Sequence, residues 1–307
     1  MNAPAKIILF GEHAVVYGQP AIAVPVSSLR AEATIRPAPV GTGLHIEAAD
    51  LNEVLPVDLE SDLVDNALIL TARTVLKALN APPPDAIITV TSHIPMASGL
   101  GSGAAVSTAV ARAVAKAVHV DITLEQTNQI VYEIEKIYHG TPSGIDNTVI
   151  VYEQPVYFIR EQPIEKLTIG APMTLVIADT GEASLTRIAV GDVRKLYEAE
   201  PERIQPIIME IGDIARRAKT AILNGNISSL GPLMLKNHAL LQKLTVSAPS
   251  LDHLVDTAME AGAQGAKLSG GGRGGNMIAL CAPHRAEHIK EALLRSGAVR
   301  AFITKVT

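Results

Sequence analysis

An apolar run from Ile87 to Ile94, a glycine-rich turn from Gly99 to Gly103 and an Ala- and Val-rich stretch to about Val118 follow one another directly. No other feature of the chain restricts its fold as much, because the order reads as strand, glycine loop and helix. Glycine lets backbone N–H groups come close to an anion, and the start of the following helix adds partial positive charge. The loop in full is Pro95, Met96, Ala97, Ser98, Gly99, Leu100, Gly101, Ser102, Gly103, Ala104 and Ala105. Two further glycine-rich stretches, Gly11 to Gly18 and Lys267 to Asn276, lie far from it in sequence. Any one of the three alone carries little information.

Two common phosphate-binding patterns fit the loop poorly. Gly99, Gly101 and Ala104 satisfy the dinucleotide fingerprint G-x-G-x-x-A, and Gly270, Gly272 and Gly275 its all-glycine form. However, Pro95 to Ser98 separate the strand from the first glycine. Asp121, the acidic residue about twenty positions on, precedes a helix cap instead of ending a second strand. A Walker A loop is excluded, since the sequence contains no Gly-Lys pair.

The chain has 307 residues, enough for two modest domains. Hydrophobic residues make up 48% but aromatics only 3%, with no Trp, so the core is built from Ala, Val, Ile and Leu. With 26 Lys and Arg against 31 Asp and Glu, the formal net charge is −5 and no long basic run exists. Nucleic acid is therefore not an expected partner. A single cysteine, Cys281, allows no internal disulfide and reads as a small core residue. Met1 to Phe10 lacks a signal-like pattern and no long uncharged apolar span follows, so the expectation is a cytoplasmic protein without a membrane partner.

Lys6 to Phe10, Ala21 to Val26, Arg30 to Arg36 and Leu44 to Ala48 read as strands. Ser61 is the expected cap of a helix whose apolar residues, Val64, Leu68, Val75 and Leu79, recur at helical spacing. Thr123 with Gln126 predicts a capping box for a helix ending at His139 and closed by Gly140. A loop over Thr141 to Asn147 follows. The polar segment between Arg160 and Ala171 marks a domain boundary. Beyond it come a strand at Thr174 to Ala178, helices near Val193 to Glu198, Ile204 to Leu223, Ile227 to Leu244, Leu251 to Ala261 and His284 to Arg295, and strands at Asn276 to Cys281 and Ala301 to Val306.

The three glycine-rich stretches, in this order and spacing, together with Lys6-Ile-Ile-Leu-Phe-Gly-Glu-His-Ala-Val-Val-Tyr-Gly18 and His139-Gly-Thr-Pro-Ser-Gly-Ile-Asp-Asn147, resemble the GHMP kinases over nearly the whole chain. The resemblance implies a two-domain α+β fold. Residues 1–165 would form a mixed-sheet ATP-binding domain and residues 166–307 a C-terminal α+β domain. It also implies an enzyme that transfers the γ-phosphoryl group of ATP to the 5-hydroxyl of mevalonate, with magnesium as cofactor, and a homodimer. Another small alcohol, phosphomevalonate, or a nucleotide-binding regulator without turnover are the alternatives.

By the same resemblance Asp146 accepts or orients the proton of the substrate hydroxyl, and Lys6 stabilises charge on that oxygen and on the γ-phosphate. Glu135 and Ser102 hold magnesium, residues 95–105 bind ATP, and Glu12, His13 and Thr186 lie near the substrate, the last with Ser184 and Arg187. Each residue type suits its task. Two positions depart from the family pattern. Gly103 stands where a second loop serine is usual, and Arg273 stands where a glycine is usual; it either adds a cation for a phosphate or substrate carboxylate or points to solvent.

Overall fold

The computed structural model describes residues 1–59, 66–95, 98–139 and 142–307. Ser61, Val64, Met96, Ala97, Gly140 and Thr141, to which the sequence assigned roles, lie outside the described residues. In chain order the strands are β1 (Asn2–Phe10), β2 (Ala21–Pro37), β3 (Leu44–Ala48), β4 (Glu53–Pro56), β5 (Ala86–Ser92), β6 (Val156–Phe158), β7 (Glu165–Lys166), β8 (Met173–Asp179), β9 (Gly265–Ser269), β10 (Asn276–Cys281) and β11 (Arg300–Val306). The helices are α1 (Ala67–Ala78), α2 (Ser102–Ala117), α3 (Leu124–His139), α4 (Ile145–Tyr152), α5 (Thr186–Ala199), α6 (Pro201–Leu223), α7 (Leu230–Lys243), α8 (Pro249–Glu260) and α9 (Ala286–Arg295). No helix among the described residues is long and apolar enough to cross a membrane.

The chain forms two compact units that alternate along the sequence: Met1–Ala5, Leu29–Pro95 and Gly101–Glu153 make the first, and Lys6–Ser28, Met96–Leu100 and Gln154–Thr307 the second. Strands β1 and β2 and the glycine loop each contain residues of both units.

In the first unit β3 and β5 run parallel, β4 lies antiparallel to β3, and the second half of β2 pairs antiparallel with β5. The result is a mixed sheet. Helix α2 packs against α1, α3, α4 and β5. It can touch so many neighbours because its buried positions are small: Ala104, Ala105, Ala109, Ala111, Ala113 and Ala115, with Val110 and Val114 between them. Asn66, whose side chain accepts a hydrogen bond from the Leu68 N–H at 2.9 Å, caps α1. The box expected for α3 forms in both directions, Gln126 N–H to Thr123 Oγ1 at 3.1 Å and Thr123 N–H to Gln126 Oε1 at 3.0 Å.

The loop expected through Asn147 ends earlier, because helix α4 starts at Ile145. Gly144 takes φ 84° there, and the Thr148 hydroxyl donates to the Gly144 carbonyl at 2.8 Å. The run Val149, Ile150 and Val151 favours strand by propensity, but burial of the whole run overrides it.

The second unit holds a four-stranded antiparallel sheet in the order β11-β8-β10-β9, with α7 and α8 packed on β9 and α9 on β8 and β11. Strand β8 is buried along its whole length, and Cys281 is a buried core residue of β10. The start of β2, Ala21–Ala23, pairs with β6 in this unit, and β6 with β7. A larger side chain inside the crowded helix α2 is expected to be costly: Ala113→Leu lowers stability by about 1–3 kcal/mol, read as a reduced urea midpoint at unchanged m-value.

Candidate active site

The second unit gathers the N-terminal motif, part of the glycine loop and the C-terminal glycine stretch. Lys6 is a buried residue of β1 whose backbone N–H donates to the Leu100 carbonyl at 2.9 Å, so the strand that carries the lysine also holds the loop. From the other side, the Asn276 amide donates to the Ser98 carbonyl at 2.5 Å. Ser269 Oγ donates to the Ile8 carbonyl at 2.7 Å, joining β9 to β1.

Glu12 is enclosed and paired with Lys267, which is completely buried. The Lys267 ammonium also donates to the Leu268 carbonyl at 2.5 Å. Burial pushes the Glu12 carboxyl up and the Lys267 ammonium down, and each group's charge and hydrogen bond counter the shift of the other. Glu12 therefore acts on its loop from within. In the sequence Lys267 reads only as the first residue of the third glycine stretch. A lysine interrupting an otherwise apolar strand, which requires an acidic partner, was the available signal.

His13 follows with an uncommon backbone, φ 59° and ψ −46°. Its Nε2 lies 3.0 Å from the Gly271 carbonyl. A carbonyl only accepts, so in the neutral ring Nε2 carries the proton and Nδ1 keeps its lone pair. Nδ1 is buried and has no hydrogen-bond partner among the described residues. Burial pulls the His13 pKa down to about 4, with the nearby charges of Arg273 and Lys267 adding to the effect and the Gly271 carbonyl opposing it.

The third glycine stretch is clamped to the segment before α5. Gly275 N–H donates to the Glu182 carbonyl at 2.8 Å, and the Ser184 hydroxyl to the Gly272 carbonyl at 3.0 Å. Gly272 has φ 74°, and a Cβ there would stand 1.9 Å from the Val246 carbonyl oxygen. Thr186, the first residue of α5, lies so close that a Cβ on Gly271 would come within 2.6 Å of its Oγ1. Arg273 turns to Asp192 on α5 at 2.6 Å and to the Thr245 carbonyl at 3.2 Å. Its guanidinium thus fastens the stretch, where sequence had left it between ligand and solvent.

The first unit carries the other candidate residues, Ser102, Glu135 and Asp146. Gly101, at φ 73°, is the cap of α2, and Ser102 is the first helical residue rather than the cap. Ala104 and Ala105 are buried beneath the loop, while Gly103 is exposed and helical. A Cβ on Gly103 would stand 3.3 Å from Glu135 Oε1, so the α3 carboxylate reaches the start of α2. Asp146 lies in the first turn of α4 and is half-buried, while Ile145 and Asn147 to Val151 around it are buried. The half-buried Pro95 ends the strand side of the loop.

The family model for the GHMP kinases N terminal domain matches residues 66–154, and that for the GHMP kinases C terminal domain matches residues 218–299. The chain belongs to the GHMP kinase family. Within that family it is 36% identical to the mevalonate kinase of Thermococcus sibiricus, over 100% of this chain and 95% of that relative. The Methanococcus jannaschii mevalonate kinase structure superposes with a TM-score of 0.88 at 27% identity, covering 100% of this chain and 98% of that one. That of L. major mevalonate kinase in complex with R-mevalonate gives a TM-score of 0.86 at 27% identity, covering 100% and 95%.

Two outcomes follow from the buried groups. Lys267→Met alone is expected to cost about 3–5 kcal/mol by stranding Glu12, and the double variant Glu12→Leu with Lys267→Met to recover most of that loss, as read from urea unfolding. For His13, an unfolded histidine takes its proton near pH 6.5 and the folded one only at about 4. The unfolded state therefore binds the proton first, and His13 lowers stability as pH falls through that window, by up to about 3 kcal/mol. His13→Asn is expected to lose less stability than the parent protein between pH 7 and pH 4.5, compared by urea midpoints.

Proposed function

We propose that this chain transfers the γ-phosphoryl group of ATP to the 5-hydroxyl of mevalonate, releasing 5-phosphomevalonate and ADP. The observation that carries this reading is Asp146, the accessible residue in a helical turn otherwise buried, inside a chain whose full length is similar to mevalonate kinases. A half-buried carboxylate at a helix start is suited to take or orient the proton of an alcohol.

Phosphoryl transfer passes through a loose transition state, so the protein supplies position and charge rather than covalent chemistry. The Asp146 carboxylate draws the hydroxyl proton as the oxygen attacks phosphorus. Lys6, on the strand bonded to the phosphate loop, balances the negative charge on the transferring group. The N–H groups that start α2, opened by Gly101 at φ 73°, lie against the phosphates. Neutral His13 offers Nδ1 as an acceptor to a substrate hydroxyl, and Glu12 holds His13 in place through its bond to Lys267. Thr186 borders the same glycine stretch.

Magnesium, when bound with ATP, neutralises phosphate charge. Glu135 and Ser102 are the residues that would hold it. A hard carboxylate reaching the start of the phosphate-binding helix is suitable, since magnesium takes one or two carboxylates and completes its shell with phosphate oxygens and water. Among the described residues no cluster of three or more His, Cys, Asp or Glu could hold a metal by itself.

A coupled ADP-release assay over mevalonate, 5-phosphomevalonate, homoserine and galactose tests the reading. Magnesium-dependent turnover on mevalonate alone is expected, with Asp146→Asn and Lys6→Met each lowering kcat by roughly 10²–10⁴-fold at unchanged urea midpoint. Faster turnover on another acceptor overturns the substrate, and ATP binding without turnover on any acceptor overturns the enzyme.

A further inference from the structure

We propose that Asn128 is a positioning residue for phosphoryl transfer, its side chain tying the helix that bears Glu135 to the helix that bears Asp146. The inference rests on the kinase reading above and adds to it the part that sets the spacing of those two carboxylates.

Asn128 lies on α3 roughly two helical turns before Glu135, and so on nearly the same face. Asn147, the residue after Asp146, is buried and directs its amide at α3: Nδ2 donates to Asn128 Oδ1 at 2.8 Å and stands 3.5 Å from the Asn128 carbonyl oxygen. The Thr148 hydroxyl, which closes the first turn of α4 onto Gly144, stands 3.5 Å from the same Oδ1. One side chain on the metal-ligand helix thus holds the residue next to the proton acceptor, while the Thr148 proton is given to Gly144.

The rest of α4 shows why one hydrogen bond matters. Its buried residues Val149, Ile150 and Val151 pack through dispersion contacts, which are numerous but not directional. Its far end is fastened separately. Arg112 on α2 donates to the Val151 carbonyl at 2.8 Å and to Glu153 at 3.0 Å, and the Tyr152 hydroxyl meets Glu125, also on α3. With that end fixed, the Asn128 to Asn147 bond sets where the first turn, and Asp146 with it, stands relative to α3. A misplacement of about 1 Å in such a group costs about 10²-fold in rate.

The test is a double-mutant cycle on the full chain with ATP, magnesium and mevalonate, using Asn128→Ala, Asn147→Ala and the double variant. Each single change is expected to lower kcat about 10²-fold with KM for ATP and the magnesium concentration at half-maximal rate nearly unchanged. The double variant should be no slower than either single one, since all three break the same bond. Urea midpoints measured in parallel separate positioning from unfolding. Unchanged kcat in Asn128→Ala, multiplicative losses in the double variant, or losses that follow the fraction unfolded each overturn the inference while the kinase reading stands. Absence of turnover by the unmodified protein overturns the kinase reading, and this inference falls with it.

Discussion

The contact on which most of the second unit's site depends is the buried pair between Glu12 and Lys267. Neither group tolerates the interior alone, because a charge stripped of water is held only by an equally stripped partner. The pair therefore demands that the N-terminal motif and strand β9 meet in one register. Once they do, the other bonds follow: Ser269 reaches β1, His13 reaches Gly271, and Lys6 and Asn276 take hold of Leu100 and Ser98 on the glycine loop. Such a pair adds little net stability over an apolar one of the same shape, whereas breaking it is costly. Here the arrangement is what aligns three distant glycine stretches.

His13 shows the local cost. Its positive φ is strained for a side chain of that size, and its ring is held neutral by burial near two cations. A charged imidazolium there would lose the Nδ1 acceptor and face Lys267 and Arg273. Strain and neutrality are tolerated because the carbonyl of Gly271 and the anchored loop leave the ring no other position.

Features that depend on local spacing were legible in the sequence. The strand, loop and helix around Gly101, the box at Thr123 and Gln126, and strands β8 and β10 all show local patterns of cap, glycine or apolar run. What could not be read was set by partners far along the chain. The pair Ser27 and Ser28 looks like the end of a strand, yet β2 continues to Pro37 because it pairs with β6 at one end and β5 at the other. Asp146 looked like a loop residue because the tertiary burial that makes α4 a helix is invisible in its β-branched run. The pairing of Glu12 with Lys267 has no local signal, since no local pattern links residues 255 positions apart. Nothing local in α3 marks Asn128 as the partner of Asn147, 19 residues further along.

That separation also sets an order of events during synthesis. A ribosome adding about 5–20 residues per second exposes Lys267 roughly 13 to 50 seconds after Glu12. The unit made of Met1–Ala5, Leu29–Pro95 and Gly101–Glu153 has all its chain by then and can condense early. The bonds of Ile8, Glu12 and His13 to residues 267–271 must wait for the last third of the polypeptide to emerge. A nascent chain stalled before β9 would therefore display a finished helix α2 whose glycine loop has its Lys6 hold at Leu100 but lacks the Asn276 hold at Ser98, and that second hold is among the last structures the growing molecule acquires.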